Sequence, residues 1–186
     1  MDSQFYTEHE DLSGAFAELM PSYETSFNPK GNGDPGKHGT HVAGIIGARS
    51  NSVGTVGVAP GTTLYGYSAI GKMVDRSGKQ MITLSYGLEV GWTYLIAENG
   101  CRVVNMSLGD DNLLLKNSIN SASVIPKERQ QLIEESNSCA NSIRALVRAG
   151  YDDFVICKSA GNSGEEGGLA DYDFLGYIAA EDVKSR

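Results

Sequence analysis

The sequence predicts an α/β protein, a three-layer fold with a mostly parallel sheet and helices on both faces. Three observations carry that prediction. Apolar runs of strand length (Thr63–Ile70, Arg102–Ser107 and Phe154–Ser159) alternate with longer segments whose apolar residues recur at helical spacing. That order of strand, helix and strand belongs to parallel sheets joined by crossover helices. Turn-forming clusters, among them Ser50-Asn51-Ser52-Val53-Gly54 and Gly57-Val58-Ala59-Pro60-Gly61, fall where the period changes.

Element by element, residues 1–37 show little regular pattern, and Gly31-Asn32-Gly33-Asp34-Pro35-Gly36 is a loop by composition. From His38 the pattern turns helical. Val42, Ile45, Ile46 and Arg49 fall on one stripe, while Gly39, Ala43, Gly44, Gly47 and Ala48 are small enough for close packing. Such a glycine-rich helix is weak alone and needs tertiary support. A second helix is predicted over Ile82–Asn99 from Leu84, Leu88, Trp92, Leu95 and Ile96, with Gly100 as its stop. Arg102–Ser107 follows as a short buried strand. A third helix covers Lys127–Ala149, with Pro126 suited to its first turn, Arg144 and Arg148 to its last, and Gly150 to its end. Its buried stripe is Leu132, Ile133, Cys139, Ile143, Leu146 and Val147. Residues 110–126 read as a polar insertion, and 165–186 as a tail without assignment. The whole of 1–186 reads as one partial domain.

Composition narrows the classes of function. The chain has 186 residues, 40% hydrophobic and 20% charged, which suits a globular domain with its own core. A net charge of −8 argues against nucleic-acid binding, which needs clustered Lys and Arg. The acidity reads as a device for solubility. No apolar run is long enough to cross a membrane. The N-terminus lacks the basic region and apolar core of a secretory signal, and the compartment stays open. The three cysteines are widely spaced and odd in number, so they imply no disulfide framework. Cys101 and Cys157 read as small core residues.

His38 is the candidate general base. A serine hydroxyl becomes an effective nucleophile only when a neighbouring base takes its proton, and a carboxylate on the far ring nitrogen fixes that base in one tautomer. Asp2 is the candidate orienter. Asn162 follows a tight Ala160-Gly161 turn, where its amide could aim at a developing oxyanion. Ligands on parallel sheets bind beyond the carboxyl ends of strands, and Asn105–Gly109 and Ser159–Asn162 lie at two such ends. Each residue also has a plain structural reading: a helix cap for His38, a solvated charge for Asp2, a turn residue for Asn162. His38 and His41 at i, i+3 lack the further ligands that a metal centre needs, since His9 is the one other histidine.

Together these blocks resemble the subtilisin-like serine proteases. His38-Gly39-Thr40-His41-Val42-Ala43-Gly44 is similar to the family's histidine block, and Gly57-Val58-Ala59-Pro60 follows as it does there. Val103–Gly109 resembles the substrate-binding edge strand, and Ser159-Ala160-Gly161-Asn162-Ser163-Gly164 the oxyanion block. Asp2-Ser3 followed by His9, Asp11 and Leu12 is similar to the aspartate block, with Gln4 in place of its glycine. The resemblance covers about residues 2 to 164 and implies a serine-type endopeptidase acting on peptide or protein substrates, with no organic cofactor. It implies that Asp2 orients His38, that His38 is base and acid, and that Asn162 stabilises the oxyanion. It further implies that Ser107, Leu108 and Gly109 pair with an extended peptide, and that Ser159, Ala160 and Gly161 line the pocket before the scissile bond. It also implies a structural calcium site with Asp11 and Asn51 as ligands.

The chain departs from the family where the nucleophile belongs. No Gly-Thr-Ser-x-Ala/Pro block occurs in it, the stretch between Ser107 and Asn162 is long, and both ends read as cut. Three expectations follow. The chain alone is inactive, uncovered sheet surfaces drive self-association, and fraying of the N-terminus displaces Asp2. The alternative is a non-catalytic peptide-binding or scaffold domain of the same fold.

Overall fold

In the computed structural model the described residues are 1–20, 36–74, 80–84, 87–107 and 125–159. They belong to two units, Met1–Cys101 and Arg102–Arg186.

In the first unit, β1 (Phe16–Met20) runs parallel to β2 (Leu64–Tyr67), pairing Phe16 with Leu64 and Met20 with Tyr67. Asp2 adds a parallel bridge to Ser68: Asp2 N donates to Tyr67 O at 3.1 Å, and Ala69 N donates to Asp2 O at 2.8 Å. The N-terminal segment is therefore tied down rather than frayed, and Asp2 is buried. A 3₁₀ turn at Glu10–Leu12 and β1 both arise in a stretch where the sequence shows little pattern. The reason is local: Phe-Ala-Glu-Leu-Met holds no β-branched residue, so its strand state comes from the partner. Leu12, Ala15 and Ala43 form a small core, flanked by Phe5, Phe16 and Leu64.

Helix α1 (Gly36–Gly47) turns its small residues inward. Gly39, Ala43 and Gly47 are buried, whereas Ile45 of the apolar stripe is 54% exposed. Close approach of backbones decides this inversion. A Cβ on Gly39 would lie 2.5 Å from Gln4 O, and one on Gly47 would lie 3.2 Å from a Leu64 methyl. Arg49 leaves the stripe for a polar task, its guanidinium donating to Pro60 O, Thr62 O and Gly14 O.

The predicted strand Thr63–Ile70 divides in two. After β2, residues Ile70–Val74 form β3, antiparallel to β4 (Gln80–Leu84), with Ile70 opposite Leu84 and Val74 opposite Gln80. The second helix therefore starts at Leu88 instead of Ile82. Leu84 matches the helical spacing by coincidence, because a hairpin partner is invisible to a local period. Helix α2 (Leu88–Trp92) continues as π-type turns over Thr93–Glu98, and buries Leu88, Trp92, Tyr94, Leu95 and Ile96.

In the second unit, β5 (Val103–Met106) and β6 (Val155–Lys158) are parallel, with Val103 opposite Val155 and Met106 opposite Lys158. Between them in sequence runs α3 (Ile125–Arg148), which takes in the last two residues of the predicted insertion. It buries Ser136, Cys139, Ala140, Ile143 and Leu146, close to the predicted stripe. Its end is a Schellman motif: Gly150 N donates to Val147 O and Tyr151 N to Leu146 O, with Gly150 at φ 94°. None of the cysteines forms a disulfide. Cys139 is buried and Cys101 half-buried, but Cys157 is exposed, because alternation along β6 turns Val155 and Cys157 outward. Parallel pairs with intervening helices make this an α/β fold. Among the described residues, no helix is long and apolar enough to cross a membrane.

Candidate active site

Asp2 and His38 meet across a sequence separation of 36 residues, with His38 Nδ1 2.6 Å from Asp2 Oδ1. The Asp2 side chain is 2% exposed and that of His38 59%. A carboxylate only accepts hydrogen bonds, so Nδ1 carries the proton, and in the neutral ring Nε2 holds the lone pair. Ser3 N donates to the same Asp2 oxygen at 2.7 Å. Asp2 Oδ2 is buried without a hydrogen-bond partner among the described residues. Backbone pairing with Tyr67 and Ala69 fixes the aspartate, and the first turn of α1 fixes the histidine.

Sequence reasoning missed two neighbours that join these segments. Ser3 Oγ accepts from Gly39 N at 2.9 Å, and Thr40 Oγ1 accepts from Tyr6 N at 2.8 Å. Their positions beside Asp2 and His38 were the available signal, but a hydroxyl near a helix start reads first as a cap of its own segment.

In the second unit, parallel pairing of Met106 with Lys158 sets Ser107 and Ser159 side by side, one residue beyond two strand ends. Ser159 N donates to Met106 O at 3.1 Å, and Ser107 Oγ accepts from Asn105 Nδ2 at 2.9 Å. Leu108, Gly109, Ala160, Gly161 and Asn162 lie outside the described residues.

Asp11 sits at the other end of the aspartate segment. Its side chain is buried. Oδ2 accepts from Thr55 N at 3.1 Å and Thr55 Oγ1 at 3.2 Å, while Oδ1 is buried with no partner among the described residues. Asn51 lies in the facing loop, donating from Nδ2 to Glu10 O at 2.9 Å and accepting at Oδ1 from Val53 N at 3.1 Å. A cavity of about 590 Å³ opens beside this region, with His9, Asp11, His41 and Thr55 among its lining residues. His9 Nδ1 accepts from Asp11 N at 3.2 Å, so the neutral ring carries its proton on Nε2 and offers no lone pair there.

The relatives of this chain are proteases by name. The subtilase family matches residues 1–176. Minor extracellular protease Epr of Bacillus subtilis (strain 168) is 33% identical over 171 residues, covering 90% of this chain and 23% of that protein. Subtilisin DY of Bacillus licheniformis is 31% identical over 182 residues, covering 98% of this chain and 52% of its own length. The solved structure of the psychrophilic subtilisin-like protease Apa1 from the Antarctic psychrotroph Pseudoalteromonas sp. AS-11 is 26% identical. It is covered over 88% of this chain and 30% of that chain, with a TM-score of 0.46. The chain spans about half or less of the length of these curated relatives. With the family match running from residue 1 to residue 176, this chain belongs to the subtilase family.

Proposed function

We propose that this chain supplies the aspartate and the histidine of a serine-type endopeptidase. The observation that carries the reading is the 2.6 Å contact between a buried carboxylate and an accessible imidazole. In this reading Nε2 of His38 takes the hydroxyl proton of a serine as the oxygen attacks a peptide carbonyl. The proton then passes to the leaving amine, and Asp2 stays ionised to stabilise the imidazolium. Asn162 donates to the tetrahedral oxyanion. Ser107, Leu108 and Gly109 pair by backbone with an extended peptide, and Ser159, Ala160 and Gly161 line the pocket for the preceding side chain. The adjacent ends of β5 and β6 support that division of labour.

The 186 residues hold no Gly-Thr-Ser-x-Ala/Pro segment, so the chain by itself forms no acyl-enzyme. A fluorophosphonate probe is expected to leave this chain unlabelled. It is expected to label the serine of a longer gene product that carries such a segment, with labelling slowed by about 10⁶-fold in His38→Ala. An adduct on this chain, or labelling indifferent to His38, overturns the reading.

The proposal extends to a structural calcium ion. The unpartnered Asp11 Oδ1 supports it, since a buried carboxylate oxygen facing the Asn51 loop suits a hard cation. Asp11 and Asn51 would hold the ion, which would clamp the loop after α1 to the aspartate segment. Calcium at a hundredfold excess over Kd should add about 2.7 kcal/mol of stability. Thermal melts with calcium and with chelator check this; equal shifts in the wild type and in Asp11→Asn exclude the site.

A further inference from the structure

Three successive residues at the start of α1 are each fastened to the segment that carries Asp2. His38 Nδ1 meets Asp2 Oδ1, Gly39 N donates to Ser3 Oγ, and Thr40 Oγ1 accepts from Tyr6 N. The first N–H groups of a helix lack partners within it, and a side chain just ahead of the helix ordinarily accepts one of them. Here the acceptor for Gly39 comes from 36 residues away, on a serine that is 3% exposed. The two backbones close so tightly that a Cβ on Gly39 would lie 2.5 Å from Gln4 O and 3.0 Å from Ser3 O. The residue next to Asp2 thus holds the residue next to His38.

We propose that Ser3 is a positioning residue: its buried hydroxyl caps Gly39 from a distant segment and thereby keeps the His38 imidazole on Asp2. The inference rests on the reading of Asp2 and His38 as a working pair, and adds to it the group that sets their separation. Ser3→Ala strands a buried N–H and releases the first turn of α1, while Ser3→Thr keeps an acceptor oxygen at the same branch point.

The test uses the full chain with ¹⁵N-labelled histidine and follows solvent exchange of the His38 Nδ1 proton by NMR. The wild type is expected to show a protected proton. Ser3→Ala with an unchanged far-UV spectrum should exchange it about tenfold faster or more, and Ser3→Thr should restore most of the protection. A merely structural serine would lower the thermal midpoint and leave the exchange of this proton alone; that result overturns the proposal. A wild type with no protected Nδ1 proton removes the working pair itself, and the proposal with it. Protection with no response to Ser3→Ala removes the proposal alone. Should Ser3→Ala fail to fold, the Gly39 amide of the unaltered chain decides: protection supports the cap, and exchange at the free-peptide rate sinks it.

Discussion

Tyr94 buries a hydroxyl that has no hydrogen-bond partner among the described residues. Burial, reinforced by the nearby Glu18 carboxylate, pushes its phenol up to about 12. The ionised form is therefore disfavoured in the folded chain. Any stability linked to the neutral phenol is complete below pH 10 and is lost as pH rises from 10 to about 12. Tyr94→Phe removes the stranded hydroxyl and should stabilise by about 1 kcal/mol at pH 7, with a flatter loss above pH 10. Urea midpoints at the two pH values check both parts. Asp2 and His38 were legible at this scale, because acid–base chemistry restricts residue type and both stand in recognisable blocks. Ser3 and Thr40 were not, because hydrogen bonds across 36 and 34 residues leave no local trace.

Gly150 ends α3 at φ 94°, where an L side chain meets its own carbonyl. Gly150→Ala should cost about 1–2 kcal/mol and lower the thermal midpoint by several degrees. Exposed Ala145 marks the contrast: within the helix alanine is favoured, at its end it is not. Helix ends and the β5–α3–β6 crossover were legible because glycine stops and periods of opposite kind meet there. The start of α2 was not, since β4 owes its strand state to β3. The inward face of α1 reversed for a related reason. Apolarity marks a buried stripe only when side chains do the packing, and here Gly39 and Gly47 bring backbone and side chain into direct contact.

Across the molecule, outward apolar residues set the expected behaviour in solution. Val103 is 66% exposed and Val155 41%, and the two face one another across the ladder of the second unit. Light scattering of the isolated chain should give a mass above one chain at high concentration, and the pair Val103→Ser and Val155→Ser should lower it. A single-chain mass for the unaltered protein refutes this. The α/β class and the order of the blocks were legible at this scale, since strand and helix periods survive without coordinates. The division into Met1–Cys101 and Arg102–Arg186 was not, because it depends on contacts that no local pattern records.

The segment 1–20 is held to residues 36–69 by far more than the peptide chain that links them. Strand pairing to β2, the bridge at Ser68, the three fastenings to α1, and the bonds from Arg49 to Asp11 O and Gly14 O all join the two. It amounts to a docked peptide whose tether supplies a high effective concentration. The first unit is accordingly a natural starting point for fragment complementation. Two separately made pieces would regain the imidazole–carboxylate pair only on reunion, and so would report their own encounter.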